Sequence, residues 1–237
     1  MPSTPRILAI DTATEACSLA LSTGGALHRR HEILARAHNR HILRMLSEVL
    51  QGATLAESVD VVACGVGPGS FTGLRVAVSV AQGLAWSQNL PVQAFCSLKA
   101  QIYAAAELGL IAQNDRVLST IDAQIGQLYG LWGMWTGSDV ATEAPPFICA
   151  PGQIPMPDEP GDKIVILGSG IAYQPQFPAR LTHAVQHGNV TPDAGVMASL
   201  LASGAIAPEL QAPHLLAPQY VQRDIGWKKL SEQGRRD

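Results

Sequence analysis

The feature that most constrains this chain is a series of elements that runs twice along it. Arg6-Ile7-Leu8-Ala9-Ile10-Asp11 is an apolar run ending in an acid. A polar turn, Thr12-Ala13-Thr14-Glu15, follows it, and Cys17–Ser22 supplies a partner strand. Arg116-Val117-Leu118-Ser119-Thr120-Ile121-Asp122-Ala123 repeats the pattern with one residue inserted, and Ile125–Trp132 supplies its partner. In each half a second apolar run then meets glycines. Asp60–Gly65 leads into Gly67-Pro68-Gly69, and Lys163–Leu167 into Gly168-Ser169-Gly170. A helix is expected after each: Gly73–Trp86 in the first half, and Pro192–Ser203, N-capped by Thr191, in the second. Short apolar runs bounded by turns and alternating with helical patterns make an α/β protein.

The repetition predicts two duplicated lobes. Residues 1–100 form an N-terminal lobe with the Gly-Pro-Gly turn, 101–215 a C-terminal lobe, and 216–237 a tail. Two such lobes, with mixed sheets flanked by helices, are the plan of the actin-like ATPases and sugar kinases (the ribonuclease H-like, or ASKHA, fold), which by itself sets no function. A third strand is expected over Ala26–Ile33 and an amphipathic helix over His38–Leu50, with Ile42, Leu43, Leu46, Val49 and Leu50 on its apolar side. A strand from Pro91 and a helix over Ser97–Leu108 complete the first half. Ala144–Gly161 holds six prolines, too many for regular structure.

Only 15% of the 237 residues are charged, against 47% hydrophobic. A surface that poor in charge points to a covered face. The net charge of −3 excludes a strongly basic nucleic-acid binder acting alone. Cys17, Cys64, Cys96 and Cys149 form no CxxC pair, which suits reduced thiols in a cytoplasmic protein. No apolar run is long enough to span a membrane.

The candidate chemistry is phosphate binding, nucleophilic catalysis or metal binding. Asp11 and Thr12, with Gly67, Gly69 and Ser70 ahead of a helix, form a possible weak nucleotide or phosphate site, because turn amides and helix N-termini attract anions. The loop lacks the lysine of a Walker motif and the spacing of GxGxxG. The turn after Asp122 carries one glycine among bulky side chains, which argues against productive ATP hydrolysis. Ser70 or Thr72 would need a base to act as a nucleophile, so Ser70 reads better as an N-cap. His28, His31, His38 and His41 cluster in sequence. His38 and His41 are expected on the exposed start of a helix, without a carboxylate four residues away, so no metal site is expected.

Helix Gly73–Trp86 is apolar nearly all round, its polar residues Arg75, Ser79 and Gln82 falling on one stripe. Such a helix must be covered on two sides, one by its own sheet and the other by His38–Leu50 or a second chain. Gly73, Ala77 and Ala81 permit close helix approach.

These residues resemble a known family. Ile7–Ser18, Gly67-Pro68-Gly69-Ser70-Phe71-Thr72-Gly73-Leu74-Arg75 and Ala81–Ala85 resemble the bacterial TsaB (YeaZ) family. So do Ile121-Asp122-Ala123 with Tyr129, Pro218–Arg223, and Trp227-Lys228-Lys229. The resemblance implies a non-catalytic partner in making threonylcarbamoyladenosine at position 37 of tRNAs reading codons that begin with A. The partners it implies are the transferase TsaD, the ATPase TsaE as a third component, and a second copy when TsaD is absent, with tRNA reached mainly through the complex. It implies no cofactor beyond weak nucleotide binding at a lobe or subunit boundary. The expected partner interface is Ile42, Met45, Leu46, Val49, Phe71, Thr72, Leu74, Arg75, Ala77, Val78, Ala81 and Gln82. Gln124 and Gln127, and Val66 before the Gly-Pro-Gly, stand where the family commonly carries charge. An actin-like phosphotransferase or ATPase using Asp11 and Asp122, or a metalloprotease-like relative, is the alternative.

Overall fold

A computed structural model describes residues 4–34, 37–157 and 163–221. Strand β1 (Ile7–Asp11) pairs antiparallel with β2 (Ala16–Ser22), and β2 with β3 (Leu27–Ile33). Helices α1 (His38–Leu50) and α2 (Leu55–Ser58) cross over to β4 (Val61–Gly65), parallel to β1. Helix α3 (Phe71–Ser87) then leads to β5 (Val92–Phe95), parallel to β4. After α4 (Ser97–Glu107) a second sheet repeats the scheme with β6 (Arg116–Asp122), β7 (Leu128–Trp135), β8 (Val140–Ala141), β9 (Phe147–Cys149), β10 (Ile164–Leu167) and β11 (Val185–His187). Helix α5 (Ala194–Ser203) and strand β12 (Leu210–Gln211) end the regular structure. Strand orders are β12-β5-β4-β1-β2-β3 and β11-β10-β6-β7-β8, with β9 also on β7.

Strand alternation sorts the layers. In β1, Leu8 and Ile10 point to one face and join Ile42, Met45 and Val49 of α1 and Ala77 and Ala81 of α3. Ile7 and Ala9 point to the other face and share a core with α4, α5 and Val117, Val165 and Leu167 of the second sheet. Leu118 and Ile166 face outward from that sheet, under Ile154 and Leu181. The two sheets therefore sandwich α4 and α5 in one continuous core.

That sandwich revises the expected lobe boundaries. Helix α5, from the second half, packs on β1 and β2, whereas α4 packs on β6. Strand β12 joins the first sheet beside β5. The N-cap of α5 is Asp193, whose carboxylate accepts from the Gly195 and Val196 amides, in place of Thr191. Residues 216–221 are no loose tail. Leu216 is buried, and Gln219 donates its amide to the Val66 carbonyl at 2.8 Å. The expected tail residues Arg223, Trp227, Lys228, Lys229, Arg235 and Arg236 lie outside the described residues.

Candidate functional site

The Asp11 turn and the Gly-Pro-Gly turn meet where β1 and β4 end. Ser70 donates its amide to the Ala13 carbonyl at 2.7 Å, and the Thr12 hydroxyl donates to the Gly73 carbonyl at 2.7 Å. A Cβ on Gly69 would overlap the Ala13 carbonyl, and one on Gly73 the Thr12 carbonyl. The glycines thus allow two backbone segments to touch. Main chain of the Asp11 turn fills the space directly against Gly69 and Gly73.

Asp11 is sealed beneath this contact. One carboxylate oxygen accepts from the Ala13 amide at 2.8 Å, the other from the Ser97 hydroxyl at 2.7 Å, and 1% of the residue is exposed. Burial pushes its pKa up to about 6, because the ionised form loses its water, and the two hydrogen bonds offset only part of this. A Cβ on Gly65 would collide with that carboxylate, so glycine is required there. Asp122 is half-buried by comparison. It accepts from the Tyr173 hydroxyl at 2.9 Å and the Gln124 amide at 2.7 Å, and the Tyr173 bond raises that phenol's pKa. Both Asp turns are satisfied within the chain.

Ser70 caps α3, accepting from the Gly73 amide at 3.3 Å. The histidines do not converge. His38, expected on an exposed turn, is buried, its ring bonded to the Glu15 carbonyl at 3.3 Å, and burial lowers its pKa. His31 bridges the Ser18 hydroxyl at 3.0 Å and the Thr191 hydroxyl at 2.9 Å, with Asp193 at 3.7 Å. This brings together a Ser, a His and an Asp that are far apart in sequence, but not as a triad. Ser18 and Asp193 both face Nδ1, whereas a triad needs them on opposite ring nitrogens. His183 and His187 have HxxxH spacing, which the reading of the sequence passed over. His187 ends a strand, so the two do not stack as on one helix face. No group of three metal-ligating side chains occurs among the described residues.

Helix α3 corrects most of the expected interface. Leu74, Ala77, Val78 and Ala81 are buried in the chain's own core, as are Ile42, Met45, Leu46 and Val49 of α1. A partner cannot reach them. Small residues on α3 let it settle on its own sheet, and the sequence pattern does not distinguish that from a subunit contact. Of the expected set, Phe71, Thr72 and Arg75 are exposed and Gln82 is half-buried. They continue along the helix through Ser79 and Gly83 to Trp86, which is 70% exposed, with Leu43 of α1 also exposed on this lobe. Residues 213–220 run along the edge of this face. Gln82 donates to the Leu216 carbonyl at 2.9 Å, and a groove of about 460 Å³ lies between Trp86, Gly83, Pro213 and His214. A second cavity, of about 360 Å³, opens between Lys99, Leu131, Glu143 and Gln219.

With this geometry in view, comparison with known proteins is decisive. The Haemophilus influenzae protein named tRNA threonylcarbamoyladenosine biosynthesis protein TsaB is 32% identical, over 94% of this chain and 96% of its own length. The Escherichia coli TsaB is also 32% identical, over 95% and 98%. The chain belongs to the TsaB family. The family model for TsaD, tRNA N6-adenosine threonylcarbamoyltransferase, matches residues 26–144 of this TsaB-family chain. The solved structure of YeaZ from Pseudomonas aeruginosa superposes with a TM-score of 0.81 at 29% identity, covering 91% of this chain and 99% of that one. No helix among the described residues is long and apolar enough to cross a membrane.

Proposed function

We propose that this TsaB-family protein acts in making threonylcarbamoyladenosine at position 37 of tRNAs reading codons that begin with A, as a non-catalytic subunit supporting a TsaD-type transferase. The observation that carries the reading is near-full-length similarity to proteins named for that biosynthesis. The turns support it, because the Ser70 and Gly73 amides at the start of α3 already bond within the chain, to the Ala13 carbonyl and the Ser70 hydroxyl. The transferase docks on the outward stripe of α3, from Phe71 and Arg75 to Gly83 and Trp86, beside Leu43. An exposed tryptophan bordering a groove is the kind of anchor that dominates protein interfaces. A TsaE-type ATPase is the third component, a second copy takes the same stripe when the transferase is absent, and tRNA is engaged through the complex.

A pull-down with the transferase, paired with a modification assay in which this chain is omitted, tests the reading. Binding and a drop in modified tRNA on omission are expected. Full modification without the chain, or nucleotide turnover by the purified chain that Asp11→Ala removes, would overturn it. Gly83→Arg probes the face cleanly, since a Cβ there meets nothing within 4 Å.

A further inference from the structure

Arg75 is held differently from five other arginines among the described residues. Arg6, Arg29, Arg30, Arg44 and Arg116 each form a salt bridge to a carboxylate. Arg75 lies instead over the Phe71 ring, 3.7 Å from its centroid, and donates Nε to the Tyr220 hydroxyl at 3.1 Å. Phe71 and Tyr220 themselves pack with ring centroids 5.3 Å apart. No carboxylate pairs with Arg75 among the described residues, and the side chain is exposed. The ring and the hydroxyl restrict a side chain that otherwise carries large rotamer entropy, and they leave the terminal nitrogens open to solvent. A guanidinium fixed this way is a ready bidentate donor to an oxyanion.

We propose that Arg75, positioned by Phe71 and Tyr220, receives an acidic side chain of the protein that docks on α3. This inference rests on the docking stripe proposed above and names its charged anchor. A protein carboxylate suits the place better than an RNA phosphate, because Arg75 shares its helix face with exposed Phe71 and Trp86, in a chain whose net charge is −3. Tyr220 makes residues 213–220 part of the docking surface, and it acts as a positioning residue through Arg75.

The test is the affinity of the full chain for the TsaD-type transferase, measured at low and high salt. Arg75→Ala is expected to weaken binding about tenfold at low salt and to flatten its salt dependence. Arg75→Lys, which keeps the charge without the fork, recovers part of this. Tyr220→Phe costs a few-fold and leaves the melting temperature unchanged. Arg75→Ala binding within twofold of wild type overturns the proposal. So does an equal loss in Asp224→Asn, which would give the carboxylate to this chain's own C-terminal segment. Lower tRNA affinity with unchanged transferase affinity would make the acceptor a phosphate and also overturns it. Trp86→Asp separates the two readings. If it weakens binding while Arg75→Ala does not, only this inference falls; if neither does, the docking reading falls too.

Discussion

The two faces of α3 differ in composition and have opposite fates. The inner face, Leu74, Ala77, Val78 and Ala81, is sealed against β4 and α1, whereas the outer face leaves Phe71, Arg75 and Trp86 in water. The buried face is wholly aliphatic, whereas the exposed one carries the polar stripe Arg75, Ser79 and Gln82 with two aromatics at its ends. The aliphatic face is covered by the chain itself, and the polar stripe marks the face that is not. A small residue lets a sheet approach. A large one left exposed is what a second protein can grip.

Ala77→Arg is the harshest way to break that contrast. It places a charge in the sheet-facing core and should cost about 4 kcal/mol or more, read as loss of the cooperative melt. Next is the buried carboxylate below the inner face. Asp11 carries a pKa near 6 when folded against an ordinary 3.8, so between these values the native state holds more protons than the unfolded one. Stability therefore falls as pH rises through that window, by about 3 kcal/mol at 1.36 kcal/mol per unit. Asp11→Asn should remove most of that slope in denaturation curves measured from pH 4 to pH 7. A wild-type profile that is flat over the range would refute the sealed-carboxylate account.

Trp86→Asp acts on the outer face alone. Folding stability should change by less than about 0.5 kcal/mol, while transferase affinity drops roughly 10- to 100-fold, about 1.4–2.8 kcal/mol. If the melt collapses along with binding, the two faces are not separable. Ser70→Ala removes the α3 cap and should cost about 1 kcal/mol of stability in a denaturant titration. Gly83→Ala is the mildest. It should stabilise the helix by about 0.5–1 kcal/mol, read in a denaturant titration.

Much of the fold was legible in the sequence. Periodicity placed α1 at its observed bounds and most strands within a few residues, and the doubled Asp turn foretold two related sheets. Ser70 could be read as a cap because capping is a local interaction. What escaped depends on distant contacts. His38 is buried by its bond to a turn 23 residues away, and α5 crosses to the sheet of the other half. Partner strand β7 begins three residues later than expected, because Gln124 and Gly126, at positive φ, extend the turn. The closed contact between the two turns was hidden because glycine spacing alone does not distinguish a cradle for phosphate from a seat for another main chain.

The hydrogen bond from Gln82 to Leu216 joins residues 134 positions apart. During synthesis α3 leaves the ribosome long before the segment that fastens along its edge. Until that segment follows, Leu216 cannot fill its place in the first core and Tyr220 cannot steady Arg75. A chain lacking residues 213–220 would present an unfinished face along α3.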